Sequence, residues 1–470
     1  MSTSSIARNQ KSLLAALMVG VFLSPINVTF TGIALPTMQA HYGINVEQLS
    51  WVASAYFIPT VVFMPLMSAV AQRWGLRRIY KLGLTLLGLS AFATALAPNF
   101  SWLLIGRVLQ GVGWSSLYPV ALILIHSNFP ADKRGEAVGL WESSVGVAAI
   151  IGPALGGLLV QYLGWQSIYF TIGSLAFLGA LLSVKSIPEG KQSETGLSKF
   201  DFVGAVSMTG ALLLLLLGIT LKSFSLFGAG LITGIIWLRS AHENSHPFID
   251  LAILTNRRFL SAAGAANLRM IIGVSAIISL PLFLEGVQNL SPTAVGLLLP
   301  AYSLFLFIGA RPGGRWADRA GSRQPAVSGF VLMTLGSAML ILLDVTSGLF
   351  LIISALAIRG IGAGISQAPF AKEATSALGS EHASMAAGLY GMIRYSGLAL
   401  GSALVGILLN NRFVFYNSSG TGLSALPAFR ELFTVLALVG VLGTGLSWLI
   451  GSKQSSPVQL APASGKVIEG

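Results

Sequence analysis

The chain has no cysteine among its 470 residues. Disulfides, thiolate metal sites and thiol redox chemistry are therefore excluded. Charge is nearly as scarce, with Asp, Glu, Lys and Arg making up 9% of residues, whereas a soluble chain is roughly a quarter charged. So few charges cannot cover a large water-exposed surface. The alternating strands of ~10 residues that build a membrane barrel are also missing, because the apolar runs are far longer. What the chain has in quantity is hydrophobicity, at 54% of residues.

Apolar runs of about 20 residues recur along almost the whole length, and that many helical residues cross a ~30 Å hydrocarbon layer. Spans near 12–35, 49–70, 80–97, 101–125, 136–162, 166–185, 202–221, 224–240, 259–283, 295–314, 326–344, 349–371, 384–410 and 430–451 predict an all-α integral membrane protein of about fourteen transmembrane helices. The first apolar run is followed by no small-residue cleavage site, so it reads as a retained span. The polar stretch 452–470 reads as a disordered cytoplasmic tail. Placing the N-terminus in the cytoplasm puts Arg8, Lys11, Arg73, Arg77, Arg78, Lys81, Arg315, Arg319 and Arg323 on the inner side, and leaves only Lys222, Arg412 and Arg430 outside. That orientation predicts a multi-pass protein of the plasma (inner) membrane with both termini cytoplasmic. The net charge of +12 is largely this asymmetry, so no nucleic-acid partner is expected.

One short basic turn is written twice. Ala71, Arg73, Gly75 and Arg77 return as Ala317, Arg319, Gly321 and Arg323, 246 positions later (317 minus 71). Ala137-Val138-Gly139-Leu140-Trp141 is echoed by Ala386-Ala387-Gly388-Leu389-Tyr390, and Arg107 through Gly113 by Arg359 through Gly364. Three echoes at nearly one offset predict two homologous six-helix bundles, residues 1–190 and 251–451, with a two-helix hairpin in 191–250 between them. Paired repeats around a midplane cavity are the architecture of secondary transporters.

These motifs resemble the major facilitator superfamily, and specifically its fourteen-span drug:proton antiporter family, over most of the chain. Gly314, Asp318, Arg319, Gly321 and Arg323 fit that family's G-x-x-x-D-R-x-G-R-R loop, and the first copy departs from it with Ser68 and Gln72. Arg107, Gln110, Gly111 and Gly113 fit R-x-x-Q-G-x-G. Gly152, Pro153, Gly156 and Gly157 fit the exporters' G-P-x-x-G-G signature. The resemblance implies a major facilitator fold and export of amphiphilic, drug-like molecules by alternating access, in exchange for protons. It implies a monomer in membrane lipid, with no enzyme activity, no cofactor and no metal. Gln72, Arg73, Gly75, Gly314, Asp318, Arg319 and Gly321 would form gating loops.

Ionisable residues inside the spans are informative, since each costs at least ~2.5 kcal/mol in the bilayer unless paired or hydrated. Arg107, Glu142, Arg269, Arg311, Arg359 and Arg394 form the deep set, and Glu285 and Asp344 lie nearer one surface. Glu142 and Glu285 are the proton-coupling candidates, with a static ion pair as the other reading of Glu142. Family members usually carry an acid where this chain has Asn27, and a neutral amide cannot carry a proton. With Asn27 neutral and cations in excess, an anionic or zwitterionic amphiphile is the alternative substrate, moved by an exporter or a facilitator. Asn27, Arg107, Arg269, Arg359, Arg394, Trp114 and Tyr118 are the cavity candidates. The glycines at 152, 156 and 157 let a neighbouring helix approach closely and Pro153 bends its own helix, which makes either a hinge or ordinary small-residue packing. His242-Glu243-Asn244-Ser245-His246 spells the H-E-x-x-H of zinc proteases, but Pro247 works against a continuing helix there. A membrane zinc protease is the remote alternative.

Overall fold

The computed structural model describes residues 3–130, 134–188, 201–244, 249, 251–376, 383–418 and 425–451. All regular structure among them is helical. The elements are α1 (Thr3–Tyr42), α2 (Val46–Trp74), α3 (Leu76–Ala95), α4 (Phe100–Ser115), α5 (Leu117–Asn128), α6 (Arg134–Leu163), α7 (Gln166–Ser186), α8 (Phe202–Thr220), α9 (Phe224–Glu243), α10 (Leu251–Thr255), α11 (Arg257–Gly286), α12 (Pro292–Leu298), α13 (Pro300–Ala320), α14 (Arg323–Ile341), α15 (Leu349–Ser376), α16 (Ala383–Ser418) and α17 (Ala425–Trp448).

Thirteen stretches among the described residues are long and apolar enough to cross a membrane. The helix α3 occupies the remaining predicted crossing, and its apolarity is diluted by Arg77, Arg78 and Lys81 in its first turns. Two predicted spans are each built from two helices. In a continuous helix Pro119 would clash with the carbonyl of Ser115, where α4 ends, and Pro300 with that of Gly296, so the chain restarts as α5 and as α13. At the turn between α1 and α2, Asn45 and Gln48 form a reciprocal capping box, with Gln48 N donating to Asn45 Oδ1 at 2.8 Å.

The packing is written twice. In the first half α1 lies on α6 and α7, α4 on α2 and α3, and α3 on α7; in the second, α11 lies on α16 and α17, α15 on α13 and α14, and α14 on α17. The two bundles meet where α2 touches α16, α1 touches α11, and α6 touches α12 and α13. The repeated basic turn acquires a physical role in this frame. Gly75 and Gly321 both take the left-handed region, at φ 101° and 84°, where a side chain would be strained. Just beyond them, Arg77 donates to the carbonyl of Val184 on α7, and Arg323 Nε donates to that of Trp448 on α17 at 2.7 Å. Each copy ties the third crossing of its bundle to the last.

The hairpin α8–α9 packs through Gly218 against Phe227 and through Gly230 against Leu215. Its first helix rests on α2 and α16, at the seam between the bundles. Its second presents Leu231, Ile232 and Ile235 outward, as a lipid-facing helix must. The connecting turn holds Lys222 at φ 53°, a conformation that costs a residue with a Cβ roughly 1–2 kcal/mol.

Candidate functional site

Arg107 lies in the middle of the first bundle, fully buried on α4. Its Nη1 donates to Asn27 Oδ1 at 2.6 Å and to Gln110 Oε1 at 2.8 Å, and its Nε donates to the Val52 carbonyl at 2.8 Å. The guanidinium sits 4.5 Å from the ring centre of Tyr56 and 5.7 Å from that of Tyr169, within cation–π range. Asn27 Nδ2 in turn donates to Gln110 Oε1 at 3.0 Å, and Gln110 Nε2 to Thr94 Oγ1 at 2.8 Å. Amides, carbonyls and aromatic faces thus hold this cation, and none of its hydrogen-bond partners among the described residues is a carboxylate. Beside it a narrow cleft runs between α1, α2 and α11, lined by Thr31, Gly32, Phe57 and Ile277.

The second bundle treats its arginines differently. Arg359, the counterpart of Arg107 in the repeat, is also fully buried, and its Nη2 donates to the Ile272 carbonyl at 2.9 Å. Its Nε and Nη1 are buried without a partner among the described residues. Arg269 on α11 is 4% exposed, and its Nε and Nη2 have no partner there either. Arg394 and the phenols of Tyr302, Tyr390 and Tyr395 act on its charge, and Tyr302 also acts on Arg359. Arg311 is exposed on α13, so it does not belong to the buried set.

Aromatic rings join the bundles. Tyr395 of α16 approaches Trp114 at 5.9 Å and Tyr118 at 5.5 Å between ring centres, and Tyr118 reaches Trp141 at 5.1 Å. Trp114 and Trp141 are buried, while Tyr118 and Tyr395 are half-buried where the halves meet. The two contacts of Tyr395 are edge-to-face, a favourable arrangement for aromatic pairs.

The fifth-span glycines do two separate jobs. Gly152 and Gly156 face α1, where a side chain would meet Thr29 or Phe30. Gly157 faces the other bundle: an added Cβ would lie 2.6 Å from the Pro292 carbonyl and 3.2 Å from Gly296 Cα. At the same crossing Thr293 N donates to Gln161 Oε1 at 3.2 Å. Pro153 lies inside α6, its carbonyl turned to the same crossing. Nearby polar contacts seal this end of the seam, with Ser54 and Ser402 at 2.8 Å and Asn410 Nδ2 donating to Glu47 Oε2 at 2.8 Å.

The residues expected to form gating loops lie at the opposite ends of α2 and α13. Asp318 pairs with Lys372 of α15 at 2.7 Å, and Lys372 also donates to the Ala317 carbonyl at 3.3 Å. That bridge joins two helices of one bundle. Gln72, Arg73 and Arg319 are exposed there, and Gly314 lies against Ala368.

The two coupling candidates belong to different helices, Glu142 to α6 and Glu285 to α11. The side chain of Glu142 lies outside the described residues, although its backbone belongs to α6. Glu285 sits in the last turn of α11, its Oε1 buried without a partner among the described residues. Asp344 is a turn former. Hydrogen bonds from Ser347 Oγ and the Thr346 N–H hold its carboxyl below the usual carboxylate range. The helix carrying His242 ends at Glu243, and Ser245 and His246 lie outside the described residues. Sequence reasoning missed Ser54, Ser402, Glu47 and Asn410 as seam residues. No local pattern marks them, because their partners lie far along the chain.

Two bundles with matching helix contacts and a buried polar centre in each have the repeat architecture of membrane transporters. Residues 17–402 match the Major Facilitator Superfamily, and the chain belongs to that family. It is 30% identical over 356 residues to the riboflavin transporter RibZ of Clostridioides difficile (strain 630), covering 75% of this chain and 77% of the relative. The multidrug transporter protein MdtP of Bacillus subtilis (strain 168) is 25% identical over 461 residues, covering 94% and 83%. Among solved structures, a bacterial homologue of the human lysosomal transporter Spinster, crystallised in an inward-facing and occupied conformation, matches with a TM-score of 0.70 at 15% identity, covering 93% of this chain and 95% of that one. That likeness carries the fold alone. The family is one of transporters and not of enzymes, which removes the zinc-protease reading.

Proposed function

We propose that this transporter exports amphiphilic small molecules with an aromatic portion, by alternating access and in exchange for protons, in the manner of the fourteen-span drug:proton antiporters. One observation carries the reading. The ring of Tyr395 comes from one bundle and packs against Trp114 and Tyr118 of the other. A flat apolar ligand seated there would touch both halves at once, so its binding would depend on how the halves are arranged. The multidrug names among the relatives support a broad, amphiphilic cargo, and the riboflavin transporter supports an aromatic one.

Proton exchange would run through Glu142, with Glu285 as the second candidate, because Asn27 has no proton to exchange. Both halves of the path lie in one chain, so a monomer suffices, and the cation distribution orients it with both termini in the cytoplasm. The test is transport in proteoliposomes against a panel of cationic, neutral and anionic amphiphiles, with and without an imposed pH gradient. Saturable, gradient-driven flux of aromatic members, reduced by Tyr395→Ala, is expected. Flux unaffected by Tyr395→Ala contradicts the assigned site, and single-channel conductance contradicts a carrier.

A further inference from the structure

We infer that Arg269 is an anion-binding subsite in the second bundle, and that the preferred cargo is an aromatic carboxylate; this rests on the transport reading just given. The argument is a comparison within one molecule. Arg107 and Arg359 occupy equivalent places in the two bundles, yet Arg107 is satisfied by Asn27, Gln110 and the Val52 carbonyl. Arg359 keeps two buried nitrogens without a partner among the described residues, and so does Arg269. Buried charged donors are almost always paired. Two cations with open donors, grouped around Tyr302, therefore lack an acceptor that the described chain does not supply.

A carboxylate suits these open donors by chemistry. It accepts only, and its two oxygens match the fork of a guanidinium. Tyr302 and Tyr395, whose phenols act on the charge of Arg269, are half-buried, and Tyr395 also meets Trp114 and Tyr118 of the other bundle. An aromatic body lying on Trp114, Tyr118 and Tyr395 would point an acid group towards Arg269.

The experiment uses 2-naphthoate and the isosteric 2-naphthamide, with calorimetric binding to the purified full chain in nanodiscs. Wild type should prefer naphthoate, and Arg269→Gln should weaken naphthoate about tenfold while leaving naphthamide nearly unchanged. Retained naphthamide binding shows that the variant is folded. If wild type binds both probes alike, or Arg269→Gln weakens both alike, the anion subsite falls while the aromatic site stands. If neither probe binds, the aromatic transport reading falls and takes the subsite with it.

A second inference stands on a different observation. We propose that Lys222, at the tip of the inserted hairpin, is a latch that holds the sealed end of the seam closed. Its Nζ lies 2.9 Å from Glu47 Oε1 of the first bundle and 3.4 Å from Asn411 Oδ1 of the second. Glu47 uses its other oxygen to accept from Asn410. One lysine thus ties three parts of the chain together where α2 meets α16. The backbone carries the second sign. The turn closes with Ser223 N donating to the Gly218 carbonyl at 2.9 Å, a helix-end geometry that favours glycine, yet a lysine occupies the left-handed position. A strained residue whose side chain bridges moving parts points to a switch.

The absence of native cysteine makes the test clean. In a Ser54→Cys background, maleimide labelling in nanodiscs reports opening of the seam. Lys222→Met should label about threefold faster than its parent, as expected for a shifted equilibrium, and the swap Lys222→Glu with Glu47→Lys should return the rate towards the parent's. An unchanged rate in Lys222→Met, or a swap that labels as fast as Lys222→Met, overturns the latch.

Discussion

Arg107 Nη1 lies 2.6 Å from the amide oxygen of Asn27, so the buried cation of the first bundle is held by a neutral partner. The pair is permanent in the sense that no protonation event can break it. A carboxylate in place of Asn27 would make the same contact and add a titrating charge.

Removing the acceptor should therefore cost more than charging it. Asn27→Leu leaves Arg107 and Gln110 short of a partner and should destabilise the protein by about 1–3 kcal/mol. Asn27→Asp should keep most of the stability and make transport newly dependent on pH. Thermal unfolding in detergent beside a pH series of vesicle flux measures both. Equal melting of Asn27→Leu and wild type would remove the network from the account.

The glycines of α6 lead to a packing prediction. A Cβ at Gly156 lies 3.0 Å from Phe30 Cδ1, and a larger side chain overpacks that contact by about 1–3 kcal/mol. Gly156→Leu should insert and express yet fail to transport. Normal flux in that variant would reduce the motif to passive packing.

At the opposite end, the two copies of the basic turn are unequal. Asp318 bridges to Lys372, while Gln72 has only a neutral amide to offer. Both partners of the bridge are substantially exposed, so Asp318→Asn should change stability by no more than about 1 kcal/mol. Its effect belongs on turnover. Asp318→Asn should reduce transport more than Gln72→Ala at equal expression, and the reverse order would contradict a dominant second turn.

Coupling is tested by removing one charge at a time. Glu142→Gln should abolish the response to an imposed pH gradient and leave downhill exchange intact, and Glu285→Gln should have the smaller effect. Full gradient-driven transport by Glu142→Gln would assign that residue to structure.

The fold was readable because a bilayer imposes a length on apolar runs, and that length survives in a linear sequence. Helix breaks at Pro119 and Pro300 were also written in the chain, but a continuous apolar run hid them until the carbonyls of Ser115 and Gly296 were in view. The site was readable only in part. Arg107, Arg269 and Arg359 stand out as costly residues in apolar spans, whereas nothing local distinguishes Arg107 from Arg359, two of whose nitrogens have no partner among the described residues. The difference depends on Asn27 and Val52, side chain and carbonyl from two other helices. Ser54 and Ser402 carry no signal at all, being 348 residues apart and ordinary members of small-residue helix faces.

That serine pair offers the most direct test that the bundles separate at this end during transport. Ser54 Oγ and Ser402 Oγ are 2.8 Å apart across the seam, close enough for a disulfide after modest adjustment, and the chain has no native cysteine to interfere. In Ser54→Cys with Ser402→Cys, oxidation should stop vesicle transport of whichever amphiphile the panel identifies, and reduction should restore it. Undiminished transport by the fully cross-linked protein would contradict alternating access through this seam.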